Sequence, residues 1–384
     1  MFQITKKSKN TRARTGKIIT SHGEVSTPVF MPVATQGTVK TISNDELRKI
    51  GTELFIANTY HLYLRPGMEI IKQSGGLHKF INWERSIITD SGGFQVYSMS
   101  ELRKISTEGV SFQSHIDGST HFFSPENVID IQIKLGTDIM MCFDECPPYP
   151  STYDYTKSSM ELTLNWAKRC KQQLMNSDVE RPNLKQLIFG IVQGSTHMDL
   201  RKESALRTVD LDFDGYAIGG LAVGEPQEIS QEIIDKIAPL LPENKPRYAM
   251  GIGTPEEIWS YIEQGIDMFD CVLPTRNGRN GQALTFSGKL NIRNAEYAKD
   301  FRPLDEDCTC PVCVEYSRAY IHHIFRCGEL LSLKLLSLHN VFFMLKLTDL
   351  IKKSILEDNF DQEKVKFIGN YLNANLNTKK NGKC

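Results

Sequence analysis

The chain has 384 residues with 45 Lys and Arg against 46 Asp and Glu, a formal charge of −1, so it lacks the global basic signature of a nucleic-acid binder and any polyanion site must be a local patch. No apolar stretch approaches the roughly 20 residues that span a bilayer, and the nine cysteines do not form an even disulfide spacing, so the chain reads as soluble, membrane-free and cytoplasmic. Its length holds a barrel of roughly 250 residues plus insertions, which favours one large unit with a smaller accessory one.

The first 23 residues carry Lys6, Lys7, Lys9, Arg12, Arg14 and Lys17 and no acid, as a transit peptide does, but residues 16–25 read as a hairpin leading into the first apolar run. Eight short apolar runs follow, at residues 29–34, 54–58, 86–90, 138–145, 187–193, 216–220, 247–251 and 268–273. Continuous hydrophobicity of this kind fits strands buried on both faces, as in a parallel sheet covered by helices. Amphipathic segments lie between them, with start signals such as Ser43 and Glu46 in capping-box spacing and Pro255 at the first helical position after Thr254. Strand and helix alternate, which predicts an α/β fold, a (β/α)8 TIM barrel, with its site at the C-terminal ends of the strands. Asn58, Asp90, Asp144, Gln193, Gly220, Met250 and Asp270 stand at the ends of their runs and are expected to converge there. The rival architecture, an open doubly wound sheet, would carry a Gly-rich turn after the first run, and none follows it.

The run ends differ in what they can do. Asp90-Ser91-Gly92-Gly93-Phe94-Gln95 leaves an acid at a strand tip beside glycines that let backbone approach a ligand, although an Asp before a turn also serves as an ordinary cap. Asp270, inside Phe269-Asp270-Cys271-Val272-Leu273-Pro274, is a carboxylate in an apolar run and must be paired, protonated or functional; Asp144 in Cys142-Phe143-Asp144-Glu145-Cys146 is similar. Beyond it, Arg276, Arg279, Lys289, Arg293, Lys299 and Arg302 outnumber Glu296 and Asp300, a local basic patch beside Asp270. Cys308, Cys310 and Cys313 then place three thiols within six residues, enough to wrap one soft ion such as Zn2+. Cys327, His322, His323 and His339 are candidate fourth ligands. His339 is favoured, because residues 329–347 read as an apolar helix that returns its imidazole over the cysteine loop. Four protein ligands make a closed site, hence a structural zinc, one per subunit.

The expected division is a catalytic barrel with an N-terminal hairpin cap over residues 1–300, an appended zinc-binding subdomain over 301–345, and a C-terminal helix with a basic tail over 346–384, disordered from Lys379 to Cys384.

Seven segments carry a resemblance to a known family. They are Asn58-Thr59-Tyr60-His61-Leu62, Asp90 to Val96, Phe143-Asp144-Glu145-Cys146, Ile191-Val192-Gln193-Gly194, Ile218-Gly219-Gly220-Leu221-Ala222-Val223-Gly224-Glu225, Met250-Gly251-Ile252-Gly253-Thr254-Pro255 and Asp270-Cys271-Val272-Leu273-Pro274-Thr275-Arg276. In this order, and with the cysteine cluster and His339 behind them, they resemble the bacterial-type tRNA-guanine transglycosylases, or queuine tRNA-ribosyltransferases. The resemblance implies exchange of guanine at the wobble position of GUN-anticodon tRNAs (Asp, Asn, His, Tyr) for a 7-deazaguanine precursor in queuosine biosynthesis. It makes Asp270 the nucleophile on the ribose C1′ and Asp90 the general acid and base, the two-carboxylate logic of a retaining glycosidase with a nucleobase in place of water.

The same resemblance implies that Asp144, Gln193 and backbone N–H groups of Gly219 and Gly220 read the base, with Ser91 and Gly251 in the pocket. Phe94 and Met250 sandwich it. The Leu221–Ala222 peptide, backed by Glu225, presents a carbonyl to an aminomethyl group. Cys146 and Val223 match the bacterial pattern, which implies preQ1, 7-aminomethyl-7-deazaguanine, as the incoming base. Thr275, Arg276 and Arg279 fall on the tRNA, where the arginines read the uridines flanking the flipped-out target. A homodimer is implied, with Phe80, Tyr316, Tyr320 and His323 at an aromatic contact in which Tyr316 replaces a Trp of some relatives. Other readings are a non-catalytic zinc-stabilised tRNA-binding subunit, an archaeal-type enzyme, whose extra C-terminal domains this chain does not show, and a sugar hydrolase. A silent subunit has little reason to keep both Asp90 and Asp270, and a hydrolase leaves Asp144, Gln193 and the glycine pair unexplained.

Overall fold

Eight parallel strands close on themselves in the computed structural model, which describes residues 2–99, 103–178 and 186–381. They are β1 (Val29–Ala34), β2 (Leu54–Ala57), β3 (Ser86–Thr89), β4 (Ile139–Met141), β5 (Leu187–Val192), β6 (Gly215–Ile218), β7 (Arg247–Ala249) and β8 (Met268–Cys271). Each pairs with its neighbours in chain order, and β8 closes the ring on β1 with Asp270 opposite Met31. The barrel expectation is met and the open sheet is excluded. Every residue of β2, β3 and β5 is buried. Side chains such as Met31, Ile56, Ile88 and Ile191 fill the interior while helices cover the outside, which is why these runs show no polar alternation.

The strands are shorter than the apolar runs. In the run 138–145 only Ile139–Met141 is strand, because the Gln132 side chain takes both the N–H and the C=O of Met141 (3.1 and 3.0 Å) and the chain then leaves the sheet. Asp144 and Glu145 consequently sit on the loop above the barrel. The capping boxes at Ser43/Glu46 and Thr254/Glu257 both form, with Pro255 at the start of its helix.

A three-stranded sheet, Phe2–Lys7, Arg14–Thr20 and Gly23–Thr27, contains the expected hairpin and covers the N-terminal ends of the barrel strands. Its contacts are polar and specific. Buried Arg14 pairs with buried Asp267 just ahead of β8 (2.6 and 2.9 Å), and the Ser26 N–H donates to Glu53 ahead of β2 (2.7 Å). At the hairpin tip His22 stacks on His78, ring centres 3.7 Å apart and 11° from parallel, and both rings address the Asp138 carboxylate ahead of β4 (2.8 and 3.2 Å). Two parallel rings in separate planes cannot both hold one ion in-plane, so this group is a hydrogen-bonded clamp.

After β3 the chain inserts a helix (Gly93–Met99), a second three-stranded sheet (Arg103–Ile105, Val110–Gln113, Thr120–Phe123) and a helix (Pro125–Leu135) before β4. After β8 come the helix Leu273–Arg279, the hairpin Gln282–Thr285 and Gly288–Asn291, the cysteine loop, and the helix Leu330–Leu356. That last helix corrects the expectation about apolar stretches: by length and composition it could cross a membrane, but 72% of its most apolar window is buried against the protein. It also runs nine residues past the expected end at 347 and crosses the boundary drawn between residues 345 and 346. A final helix, Phe360–Asn381, extends into the lysine-rich segment 379–384, of which 382–384 lie outside the described residues.

Candidate active site

The C-terminal ends of the strands surround a cavity of about 420 Å³. All seven run ends, Asn58, Asp90, Asp144, Gln193, Gly220, Met250 and Asp270, line it, together with Ser91, Phe94, Cys146, Gly219, Leu221, Val223, Gly251 and Arg276. Thus three carboxyl groups share one partly closed space.

Asp270 leaves β8 with Oδ1 held by the Tyr248 hydroxyl (2.5 Å) and the Gly251 N–H (2.8 Å); Oδ2 accepts no hydrogen bond among the described residues. Burial pushes its carboxyl above the ordinary range, and the two donors oppose the shift. Asp90, at the end of β3, accepts from the Thr59 and Gly92 N–H groups on Oδ1 (2.9 and 3.2 Å) and from the Asn58 amide on Oδ2. Burial raises it to about 7 against those N–H groups, with the negative charge of Asp270 and Asp144 adding to the rise. Burial thus raises both carboxyl groups, and Asp90 carries the added influence of its two acidic neighbours.

Asp144 is buried and held by Ser91 Oγ on Oδ1 (2.9 Å) and by Gln193 Nε2 on Oδ2 (2.8 Å), with burial raising its carboxyl. Gln193 Oε1 is buried without a partner among the described residues, an acceptor left over in the cavity wall. Gly219 and Gly220 must be glycines: a Cβ would lie 2.8 Å from Gln193 Nε2 at the first and 2.6 Å from Gln193 Oε1 at the second, where φ is also +62°. The Gly219 N–H is already donated to Val192 O (3.1 Å), which leaves that of Gly220 as the pair's available donor. Phe94 is 46% exposed on the cavity wall, and Met250 lies across from the β3 end on the β7 end.

Glu225 stands behind the wall and accepts the N–H groups of Ala222 (2.6 Å) and Val223 (2.9 Å), with Ser230 Oγ donating to the same carboxylate. With the Ala222 N–H turned outward, the trans Leu221 carbonyl faces the opposite way, on the Gly251 side of the cavity. Arg276 is exposed at the mouth, Thr275 is buried beneath it, and Arg279 donates to Thr275 O (3.2 Å) away from the cavity wall. Tyr316 and Tyr320 stack 5.6 Å apart on the outer face, while Phe80 is 41% exposed.

Cys308, Cys310, Cys313 and His339 do come together: the sulfurs lie 3.8, 3.5 and 3.4 Å from His339 Nδ1, and the four donor atoms fall within 4.8 Å of one another. Tetrahedral zinc with Zn–S of about 2.3 Å and Zn–N of about 2.0 Å needs S···N edges of about 3.6 Å, so the group fits a metal of that size. His339 Nε2 donates to Leu284 O (2.8 Å), which turns the lone pair of Nδ1 to the sulfurs. His322 is engaged with Ile292 O (2.7 Å) and His323 with Cys327, which removes the rival ligands. The helix bearing His339 lies on the segment after Asp270: Asn340 Nδ2 donates to Pro274 O (2.9 Å), and a Cβ at Gly278 would meet Ser337 N at 2.7 Å.

Sequence reasoning placed neither Tyr248 nor Arg201 at the site, and it placed Asn58 there without its partner Asp90. A tyrosine in a buried strand reads as core, and Arg201 in a polar helix reads as surface. Asn58 alone carried a signal, as a polar strand end with Thr59 next to it.

The family model described as Queuine tRNA-ribosyltransferase matches residues 8–373. Proteins named queuine tRNA-ribosyltransferase from Caldanaerobacter subterraneus and Thermoanaerobacter pseudethanolicus are 55% and 54% identical over 370 residues, each covering 96% of this chain and 97% of the relative. The protein of that name from Natranaerobius thermophilus is 53% identical over 372 residues, 97% of this chain and 99% of its own length. With a match of this extent laid over a closed barrel that gathers the paired aspartates, the chain belongs to the queuine tRNA-ribosyltransferase family.

Proposed function

We propose that this chain, as a tRNA-guanine transglycosylase, replaces guanine at the wobble position of GUN-anticodon tRNAs by preQ1 through a covalent ribosyl-aspartate. The observation that carries this reading is the pair of aspartates in one cavity, one anchored through a single oxygen and the other raised to about 7. Asp270 Oδ2 attacks C1′ of the flipped-out nucleotide as the bond to guanine N9 breaks, and Asp90 gives its proton to the departing base. The incoming base then yields its N9 proton to Asp90, N9 attacks C1′, and the Asp270 carboxylate leaves. Two inversions give net retention. Water has to be excluded between the steps, because hydrolysis of the intermediate would leave an abasic tRNA.

Asp144 accepts from the amidine edge of the base and Gln193 with the Gly220 N–H reads its carbonyl, while Phe94 and Met250 stack on its faces. Ser91 supports Asp144, and Cys146 and Gly251 complete the wall. The orientation of the Leu221–Ala222 peptide, held by Glu225, supports an aminomethyl substituent at Leu221 O beside Val223. Thr275, Arg276 and Arg279 hold the anticodon loop. Zinc at Cys308, Cys310, Cys313 and His339 secures the helix behind Pro274–Gly278 and takes part in no chemical step. The barrel (1–300), the zinc unit (301–345) and the C-terminal segment (346–384) act as one cytoplasmic homodimeric enzyme with Phe80, Tyr316, Tyr320 and His323 at the contact.

The test is labelled-guanine exchange into unmodified tRNA with wild type and Asp270→Asn, followed by incorporation of preQ1 or queuine. Wild-type turnover by Asp270→Asn would remove the nucleophile, no exchange by wild type would favour a silent tRNA-binding subunit, and incorporation of queuine but not preQ1 would overturn the choice of base.

A further inference from the structure

Arg201 is fully buried on the helix Met198–Asp210, and among the described residues its side-chain hydrogen bonds go only to backbone carbonyls. Nε donates to Ser195 O (2.6 Å), Nη1 to Val192 O (3.1 Å) and Gly219 O (2.7 Å), and Nη2 to Gly220 O (3.0 Å). These carbonyls flank Gln193 on one side and belong to the glycine pair on the other. One planar fork therefore joins the loop after β5 to the loop after β6.

The chemistry of a trans peptide gives this contact a direction. Holding Gly219 O and Gly220 O outward turns the N–H groups of Gly220 and Leu221 the opposite way, because C=O and N–H of one peptide unit are antiparallel. Ser204 of the same helix takes the Gln193 N–H (3.1 Å), so the backbone that carries the base-reading amide is fixed from the same helix. The next peptide, Leu221–Ala222, is held by Glu225 and not by Arg201.

A buried cation whose hydrogen bonds go to neutral carbonyls is a poor source of stability, since desolvation outweighs the nearby negative charge of Glu225. The arrangement makes sense as orientation. We infer that Arg201 is a positioning residue for base recognition: it presets Gln193 and the Gly220 N–H against the carbonyl of the nucleobase. This rests on the proposed base-exchange reading.

The test compares wild type, Arg201→Lys and Arg201→Gln in guanine and preQ1 incorporation at saturating tRNA, with the KM for tRNA measured separately. Lysine keeps the charge but cannot span both loops. The expected result is a rise of about tenfold or more in KM for both bases, a KM for tRNA within about twofold, and a larger loss with glutamine. A merely structural role would lower the active fraction, and so kcat, without moving the KM for base. Base KM values at the wild-type level in folded Arg201→Lys would overturn the inference. Should neither variant fold, Ser204→Ala removes the second tie on the same wall; it is expected to raise base KM about threefold, and an unchanged value would be equally decisive. Absence of exchange in the wild type would instead defeat the functional reading beneath it.

Discussion

Tyr248 donates its hydroxyl proton to Asp270 Oδ1 at 2.5 Å, across neighbouring strands of the same barrel wall. That bond and the one from Gly251 both favour the ionised carboxylate against the burial that disfavours it. Tyr248→Phe removes one of the two. The carboxyl of Asp270 then rises further, so the acidic limb of the pH–rate profile for kcat/KM moves to higher pH, with kcat/KM near neutrality falling about tenfold. A profile that coincides with wild type would show that Tyr248 does not tune Asp270.

Asp90 sits near 7 because burial, with Asp270 and Asp144 nearby, disfavours its charge. In the proposed role of general acid Asp90 must be protonated when the base departs, so kcat/KM for tRNA should decline above about pH 7. Its effect on stability has a definite sign. A carboxyl raised on folding costs nothing below the unfolded value near 4 and costs progressively more as pH rises toward 7. Asp90→Asn should therefore gain on wild type in melting temperature between pH 5 and pH 8, and a gap that narrows over that range contradicts the assignment.

Asp138 shows the opposite case. Burial opposes its charge, but hydrogen bonds from His78, from His22 and from the Ile87 N–H outweigh it and hold the carboxyl below the usual range. The stability it contributes is present above its unfolded value and is lost as pH falls through the folded one. Asp138→Asn is expected to cost about 3 kcal/mol at pH 7 by denaturant titration and much less at pH 2 to 3. Equal losses at both pH values would mean that charge is not what holds the clamp.

Removal of the metal is the fourth measurement. His339→Ala or Cys313→Ala should abolish zinc, expected at about one per chain by elemental analysis, and lower stability by more than ~2 kcal/mol. Because the His339 helix rests on Pro274–Gly278, tRNA use should decline with it. Full stability and activity in a zinc-free protein would show the group to be dispensable.

The strand ends were readable because strands buried on both faces are predominantly apolar, so a carboxylate at or just past the end of such a run, Asp270 or Asp90, marks the rim. The sheet at 103–123 was not readable, since its strands are only three or four residues long, lie partly exposed and show no sustained apolar run. Tyr248 and Arg201 escaped for a different reason. Each acts through contacts far away along the chain, Tyr248 on Asp270 and Arg201 on Gly219 and Gly220, and no local pattern encodes a partner. The extra length of the helix Leu330–Leu356 was hidden by its lysines, which sit on the outer side of an otherwise apolar run.

Asp270 faces Met31 across the seam where the last barrel strand meets the first. Tyr248 and Gly251 hold it from the preceding strand and loop, while its opposite neighbour belongs to the first strand of the ring. The position of this carboxyl group is therefore set jointly by segments from the two ends of the barrel sequence.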